Sequence, residues 1–481
     1  MAVFFLACGG SPKAQDAKPT PAVAVSVQVG PAVEGRLSLA MSTSFQPAEW
    51  DDVTFQDFPG ATLPLGALAP QHIRLQPLSA GVPQTGPGSW DFTTVDAIAQ
   101  VVLQVGDRSP EFQIAVAPAF MRDASGAFVD PSYRQFATYA QNLVRYYNKG
   151  GFEAQDGRHV SKGTPITWWG IFNEPNGNGV SASEYTRMYN ALVPSMQAID
   201  KGLKFVALEL SDYGDQEQQF VPPFVAGVEA KVDVLATHFY STCNQRDTDQ
   251  QLFSTVAGFG AGVGYILSEL RAKDALRNVP VWVTENNVNA DFDLGNGLSA
   301  CNPGQPFVTD KRGSSAFFAA WRPLVFAHLG RAGAGALYHW VFSGDPQYGE
   351  LDSSTGLPRL SYWVDETLAH TFPAHPGADI LEVSDTAGSG VEVLAVRNAD
   401  SSVVVMVVND AVRSPTDNDG PGLPIRVGVD VGSLESFQTA TLLTLDASTD
   451  LVAGPKAVEL KPAQVLEVPL GGYGTAILTL K

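Results

Sequence analysis

Cations are scarce in this chain: 30 lysines and arginines stand against 50 aspartates and glutamates in 481 residues, a net charge of −20. Nucleic acids and anionic membrane surfaces demand clustered cations, so this balance argues against both as partners. Cysteine is scarcer still, at three: Cys8, Cys243 and Cys301. Two of them with no histidine pair nearby do not make a zinc site, and the absence of a His-Glu-x-x-His run excludes a zincin. No dinucleotide fingerprint, phosphate loop or Gly-x-Ser-x-Gly elbow stands in a fitting context. Internal repeats and low-complexity bulk are also missing. No segment beyond the N-terminus is long and apolar enough to span a bilayer.

The first eight residues, Met1-Ala2-Val3-Phe4-Phe5-Leu6-Ala7-Cys8, run apolar into a cysteine followed by small residues. They resemble the end of a bacterial lipoprotein signal, with Cys8 as the lipid-anchored residue. No basic region precedes the run, and the run is short for a signal. The other reading is an ordinary apolar N-terminus. Residues 9–30 read as a flexible tether. On the lipoprotein reading the protein is exported, at the cell envelope or secreted. Cys243 and Cys301 are then left as a pair, either bridged or as two free thiols.

Eight short apolar runs alternate with helical patterns. The predicted strands are Arg36–Ser44, His72–Gln76, Phe112–Pro118, Ile166–Phe172, Lys204–Glu209, Val232–Tyr240, Pro280–Thr284 and Ala334–Trp340. Helices are predicted at Val95–Gln104, Tyr133–Tyr147, Ala182–Ile199, Gln251–Arg271 and Ser314–Gly330. This is the order of a (β/α)8 TIM barrel. From about Pro373 helical periodicity stops. Short β runs at Val391–Arg397, Ser402–Asn409, Thr439–Leu445 and Gly474–Leu480, separated by turn clusters, predict a small C-terminal antiparallel β-sandwich. The expected division is a signal remnant at 1–8, a tether at 9–30, a catalytic barrel at 31–372 and the sandwich at 373–481.

Two of the strands end in glutamate. Trp168-Trp169-Gly170-Ile171-Phe172-Asn173 leads into Glu174, and Val281-Trp282-Val283-Thr284 leads into Glu285. Catalytic groups of such barrels sit at the C-terminal ends of strands. Two carboxylates there suit a retaining glycosidase, with Glu174 as acid/base and Glu285 as nucleophile. The alternatives are a surface turn at Asn173-Glu174-Pro175 and a rim salt bridge at Glu285. Pro175 is expected to keep Glu174 extended. Asn173 can bond a sugar 2-hydroxyl. His238 and Tyr240 end the strand beside Glu285, where the phenol can bond the nucleophile; otherwise His238 is a satisfied core histidine. Arg74 can hold Glu285 ionised by charge; otherwise it is a salt-bridge partner within the barrel. Trp340 can floor the sugar ring; otherwise it is an ordinary core tryptophan. Weaker candidates are Glu209, Tyr338, His339, Asp345, Tyr348, Glu350 and Asp352. No metal or organic cofactor is implied. The partner is an oligo- or polysaccharide, and a neutral one is compatible with the acidic surface.

On these residues the chain resembles the clan A glycoside hydrolases, and most of all glycoside hydrolase family 39, which holds β-xylosidases, α-L-iduronidases and exopolysaccharide glycosidases. The resemblance spans roughly residues 36–370. It rests on Asn173-Glu174-Pro175-Asn176, on Ser183–Tyr189 with Ala198–Lys204, on Val232–Tyr240, on Pro280–Glu285 and on Trp90–Asp96. It departs at Phe172, where the family often has Trp, at Asn286-Asn287 after the nucleophile, and at Leu75-Gln76, where the β-xylosidases carry a His. The resemblance therefore implies a divergent member, with β-linked glycans as substrate and sugar specificity open. Two rival readings share these residues: a catalytically inactive glycan-binding barrel and an exopolysaccharide-processing endo-glycosidase or transglycosylase.

Overall fold

The computed structural model describes residues 23–45, 59–76, 82–105, 110–211, 214–344, 347–352, 355–372, 377–384 and 386–481. Cys8, with the 1–8 segment, and Asp345 lie outside the described residues. Eight parallel strands close into a barrel. In chain order, barrel strands 1 to 8 are Ala40–Phe45, Ile73–Leu75, Glu111–Ile114, Trp168–Ile171, Lys204–Leu210, Val234–Thr242, Val281–Asn289 and Ala336–His339. Each lies within or overlaps its predicted run. The predicted helices are also present, the longest at Asp249–Ala272.

Side-chain alternation sorts these strands into an outer and a lumenal face. Trp169 and Ile171 pack outward among the helices, while Trp168 turns inward. Trp168 joins Ala40, Val206, Val234, Ala236, Trp282, Ala336 and Tyr338 in a plug across the start of the barrel. His72 stacks on Trp282 with ring centroids 4.9 Å apart. Tyr338 is thus a core residue. Above the plug the lumen is polar.

The strands break their alternation at three places, all beside the polar layer. In strand 7, Thr237 pairs with Val283 but His238 pairs with Glu285, so Thr284 is an extra residue. In strand 5, Leu208 pairs with Ala236 and Leu210 with Thr237, which makes Glu209 the extra residue. At the end of strand 4, Phe172 adopts φ 68°. Without these irregularities Glu285 would share the outward face of Val281 and Val283. A bulge re-aims the chain by one residue and turns the carboxylate inward.

The second body is a sandwich whose strands run in the order Val458–Leu460, Ala440–Asp446, Gly474–Leu480, Val403–Asn409, Val391–Arg397, Ala378–Val383, Val23–Leu37, Ile425–Asp430 and Val465–Leu470. This corrects the expected tether and the expected start of the barrel at residue 31. Residues 23–37 are one long strand of the sandwich. Its first half pairs in parallel with Ile425–Asp430 and its second half antiparallel with Ala378–Val383. The register shifts between Val29 and Gly35 let it pass from one sheet to the other. The cause is visible in Val25, Val27 and Val29, an alternating apolar face. Val27 and Val29 are buried in the sandwich core with Val405, Val427 and Leu478.

The sandwich docks on the helices Asp249–Ala272 and Ala316–Ala332. Thr475 Oγ1 donates to Ala319 O at 2.7 Å, and Asp249 accepts the backbone N–H groups of Asp419 and Gly420. Cys243 and Cys301 form a disulfide, with Cα atoms 5.7 Å apart. It ties the segment after strand 6 to the segment after strand 7, on the C-terminal face of the barrel.

Candidate active site

Glu174 follows strand 4 and Glu285 lies in strand 7, and the lumen brings them together. His238 Nδ1 is 2.8 Å from Glu174 Oε1 and 3.5 Å from Glu285 Oε2. One oxygen of each carboxylate and the His238 nitrogen lie within 4.8 Å of one another. Tyr240 OH donates to Glu285 Oε2 at 2.9 Å. Arg74 Nη1 donates to Glu285 Oε1 at 2.8 Å, and Gln76 Nε2 donates to the same oxygen at 3.2 Å. Both oxygens of Glu285 are therefore held, while Glu174 keeps Oε2 clear of His238.

Glu174 is not extended as Pro175 suggests. Its φ is 46°. The turn that follows imposes this: Glu174 N donates to Glu209 O at 3.0 Å, and Asn178 N donates to Glu174 O at 2.9 Å. Phe172, Leu208 and Glu209 share the left-handed region. Non-glycine residues rarely sit there, and a cluster of them at two adjacent strand ends marks backbone bent to serve a site.

Arg74 is the centre of the network beneath. Nη2 donates to Asn173 Oδ1 at 2.9 Å and pairs with Glu209 Oε2 at 2.5 Å. Gln113 Nε2 bonds the same two acceptors, at 3.0 Å and 2.6 Å. Glu209 is thus a buried anchor. Glu111 and Gln113 do not figure in the sequence reading, and Gln76 figures there only as a departure from the family. Their signal is there in retrospect: a polar residue alternating with apolar ones in a barrel strand faces the lumen.

Trp340 is buried beside Val341 and Tyr348, and Tyr240 packs on this group. It borders the site through Tyr240. His339 and Glu350 belong to a separate buried network. His339 Nδ1 lies 2.7 Å from Asp365 Oδ2 and Nε2 lies 2.8 Å from Tyr348 O, and Arg322 pairs with Asp365 at 2.8 Å. Tyr348 OH donates to Asp291 O, and Asp352 pairs with Arg359 at 3.2 Å.

Among the described residues two groups bring metal-ligating atoms together, Glu174 with His238 and Glu285, and His339 with Glu350 and Asp365. In both, the histidine nitrogen facing the carboxylates is already engaged in a hydrogen bond. The arrangement is that of carboxylates in contact with donors.

Charge in this layer is strongly perturbed. Burial opposes the charge on His238, but Glu285, Glu174 and Glu209 outweigh it and push its pKa from 6.5 up to about 9. His238 is a cation at neutral pH. Burial likewise opposes the charge on Glu209, and Arg74 and His238 overcome it and hold that carboxyl below its usual range. Burial and the Glu285 charge push the Tyr240 phenol well up, so it stays a donor.

The His238 shift predicts how stability depends on pH. A group whose folded pKa is raised stabilises the fold fully below its unfolded pKa, and that contribution fades as pH climbs to the folded value. For His238 the window runs from 6.5 to about 9, and the contribution is on the order of 3 kcal/mol. Urea unfolding at intervals from pH 6 to 9.5 should show this loss in wild type and a flatter curve in His238→Gln. Equal losses in the two proteins would rule out His238 as the cation.

No protein-family model matches this sequence, and no curated protein does either. Solved structures do. A monomeric β-xylosidase from Caulobacter crescentus CB15 superposes with a TM-score of 0.62 at 16% identity, over 95% of this chain and 99% of that one. A GH39 enzyme from Xanthomonas axonopodis pv. citri gives 0.63 at 14% identity, over 96% and 98%. A GH30 endoxylanase from Clostridium papyrosolvens C71 gives 0.58 at 14% identity, over 95% and 99%. At these identities the likeness is one of fold, and it takes in both the barrel and the sandwich.

Proposed function

We propose that this protein is a retaining glycoside hydrolase acting on β-linked glycans, with Glu285 as nucleophile and Glu174 as acid/base. The observation that carries the reading is the approach of the two carboxylates, with oxygens within 4.8 Å of each other. Retaining enzymes hold their carboxyls ~5–5.5 Å apart, whereas inverting ones leave ~6.5–9.5 Å for a water. The likeness of fold to xylosidases and xylanases supports the same reading and makes xylosides the first substrates to try.

Each partner has a task in that chemistry. Arg74, Gln76 and Tyr240 hold Glu285 with donors on both oxygens, so it stays aimed at the anomeric carbon. In the first step Glu285 attacks the anomeric carbon, the glycosidic C–O bond breaks, and Glu174 passes its proton to the leaving oxygen. In the second, Glu174 takes a proton from water, whose oxygen displaces Glu285 from the sugar. His238 occupies Oε1 of Glu174 and leaves Oε2 to carry the proton. Asn173 spends its Oδ1 on Arg74 and Gln113, so its NH₂ is the group available to a sugar 2-hydroxyl. Trp340 is assigned the floor of the sugar subsite.

An exported location belongs to the same proposal. The Cys243–Cys301 disulfide supports it, since such bonds persist in oxidising compartments. The test of function is turnover of aryl β-xyloside, β-glucoside, β-galactoside and β-mannoside by the wild-type protein. Cleavage of one or more is the expected result. Inertness towards all four and towards β-xylan, with binding to glycans retained, would replace the enzyme by a glycan-binding barrel.

A further inference from the structure

Glu111 opens barrel strand 3, is fully buried, and faces the lumen below the two proposed catalytic carboxylates. Among the described residues neither of its oxygens meets an N–H or O–H donor. The carboxyl of Glu209 lies beside it, and its Oε1 also has no donor. The two carboxyls crowd over the bare backbone of Gly170. A Cβ at that position would stand 2.5 Å from Glu209 Oε1 and 2.7 Å from Glu111 Oε1. Two ionised carboxylates cannot share such a site away from water. One proton resolves the conflict, since it turns a repulsion into an O–H···O⁻ hydrogen bond.

Geometry decides which carboxyl holds it. Glu209 Oε2 receives Arg74 at 2.5 Å and Gln113 at 2.6 Å, so the negative charge belongs there. Glu111 receives nothing. The charged groups around it point the same way: burial and Glu209 push the Glu111 carboxyl well above its ordinary range, against the pull of Arg74 and His238.

We propose that Glu111 is a positioning residue of this site: as a neutral carboxylic acid it donates its O–H to Glu209 and fixes the orientation in which Glu209 clamps Arg74 against Glu285 and Asn173. The catalytic consequence rests on the reading of Glu285 as nucleophile, whereas the proton on Glu111 does not. Glu111 touches no substrate. It acts through Glu209 and Arg74.

Two readouts test this on the full chain. The first is the infrared difference spectrum of wild type minus Glu111→Gln at pH 7. It should contain the carbonyl stretch of a protonated carboxylic acid. Glu350, whose carboxyl burial also pushes up, is common to both proteins and cancels. The second is kinetic. Glu111→Gln keeps an N–H donor for Glu209 and should hold kcat within a few-fold of wild type. Glu111→Leu has no donor and should lower kcat on the order of 10- to 100-fold, with KM little changed, as a misaligned nucleophile does. A difference spectrum without the band would overturn the proposal, and so would a Glu111→Gln as slow as Glu111→Leu. Should Glu111→Leu fail to fold, the Gln variant alone decides. The spectrum needs no turnover, so this idea and the glycosidase reading fail separately.

Discussion

Glu285→Ala is expected to lower turnover by about 10⁴-fold or more, which at ~1.4 kcal/mol per decade removes over 5 kcal/mol of transition-state stabilisation. The size follows from what Glu285 alone supplies. It is the carboxylate held on both oxygens, by Arg74 and Gln76 on Oε1 and by Tyr240 on Oε2. Glu209 also approaches His238, its Oε2 lying 3.9 Å from Nε2, but it has donors on that one oxygen only. Glu209 is moreover fully buried under Arg74 and Gln113. The alanine leaves room for a small anion. Azide should therefore restore cleavage and yield a glycosyl azide of the opposite anomeric configuration. The fold should survive, because Arg74 retains Glu209 as its counter-ion. An alanine variant that keeps a tenth of wild-type activity would remove Glu285 from the mechanism.

Arg74→Met should cost stability rather than only rate. Arg74 has no exposure, and it neutralises Glu209 at 2.5 Å and Glu285 at 2.8 Å. Removing one partner of a buried ion pair leaves an uncompensated charge and costs about 3–5 kcal/mol. Arg74→Lys should rescue only in part, since one ammonium cannot span Glu285, Asn173 and Glu209 as the planar fork does. Adding Glu209→Gln to Arg74→Met should return part of the loss by removing one stranded charge. Chemical denaturation of the four proteins measures all of this. An Arg74→Met within about 1 kcal/mol of wild type would show that the network is not organised around this cation.

Much of this was legible before any coordinates. The barrel strands announce themselves as apolar runs of the right length, and Glu174 and Glu285 stand out because a carboxylate at the end of such a run has to be paired or used. Tyr240, His238 and Arg74 followed from strand adjacency. What escaped has physical causes. The strand Val23–Leu37 is interrupted by Gly30-Pro31 and is preceded by a Pro- and Ala-rich stretch, so composition hid its alternating valines. The helix Asp215–Gly227 carries Pro222 and Pro223, which read as breakers. Strict alternation places Glu285 on the wrong face of its strand, because the bulge at Thr284 arises from packing between strands and has no local sequence signature. The left-handed Glu174 was missed for the same reason: its turn is set by bonds to Glu209 and Asn178. Glu111 stands just before the predicted strand Phe112–Pro118, yet it is the strand's first lumenal residue.

Stereochemistry tests the central claim most directly. Proton NMR of the anomeric region, recorded during the first minutes of hydrolysis of whichever aryl β-glycoside the wild-type protein cleaves, reports the configuration of the sugar as it leaves the enzyme. Two displacements at one carbon predict that the β-anomer appears first and the α-anomer grows in later by mutarotation. An initial α-product would mean a single displacement by water, and it would contradict the assignment of Glu285 as a nucleophile in contact distance of the Glu174–His238 pair.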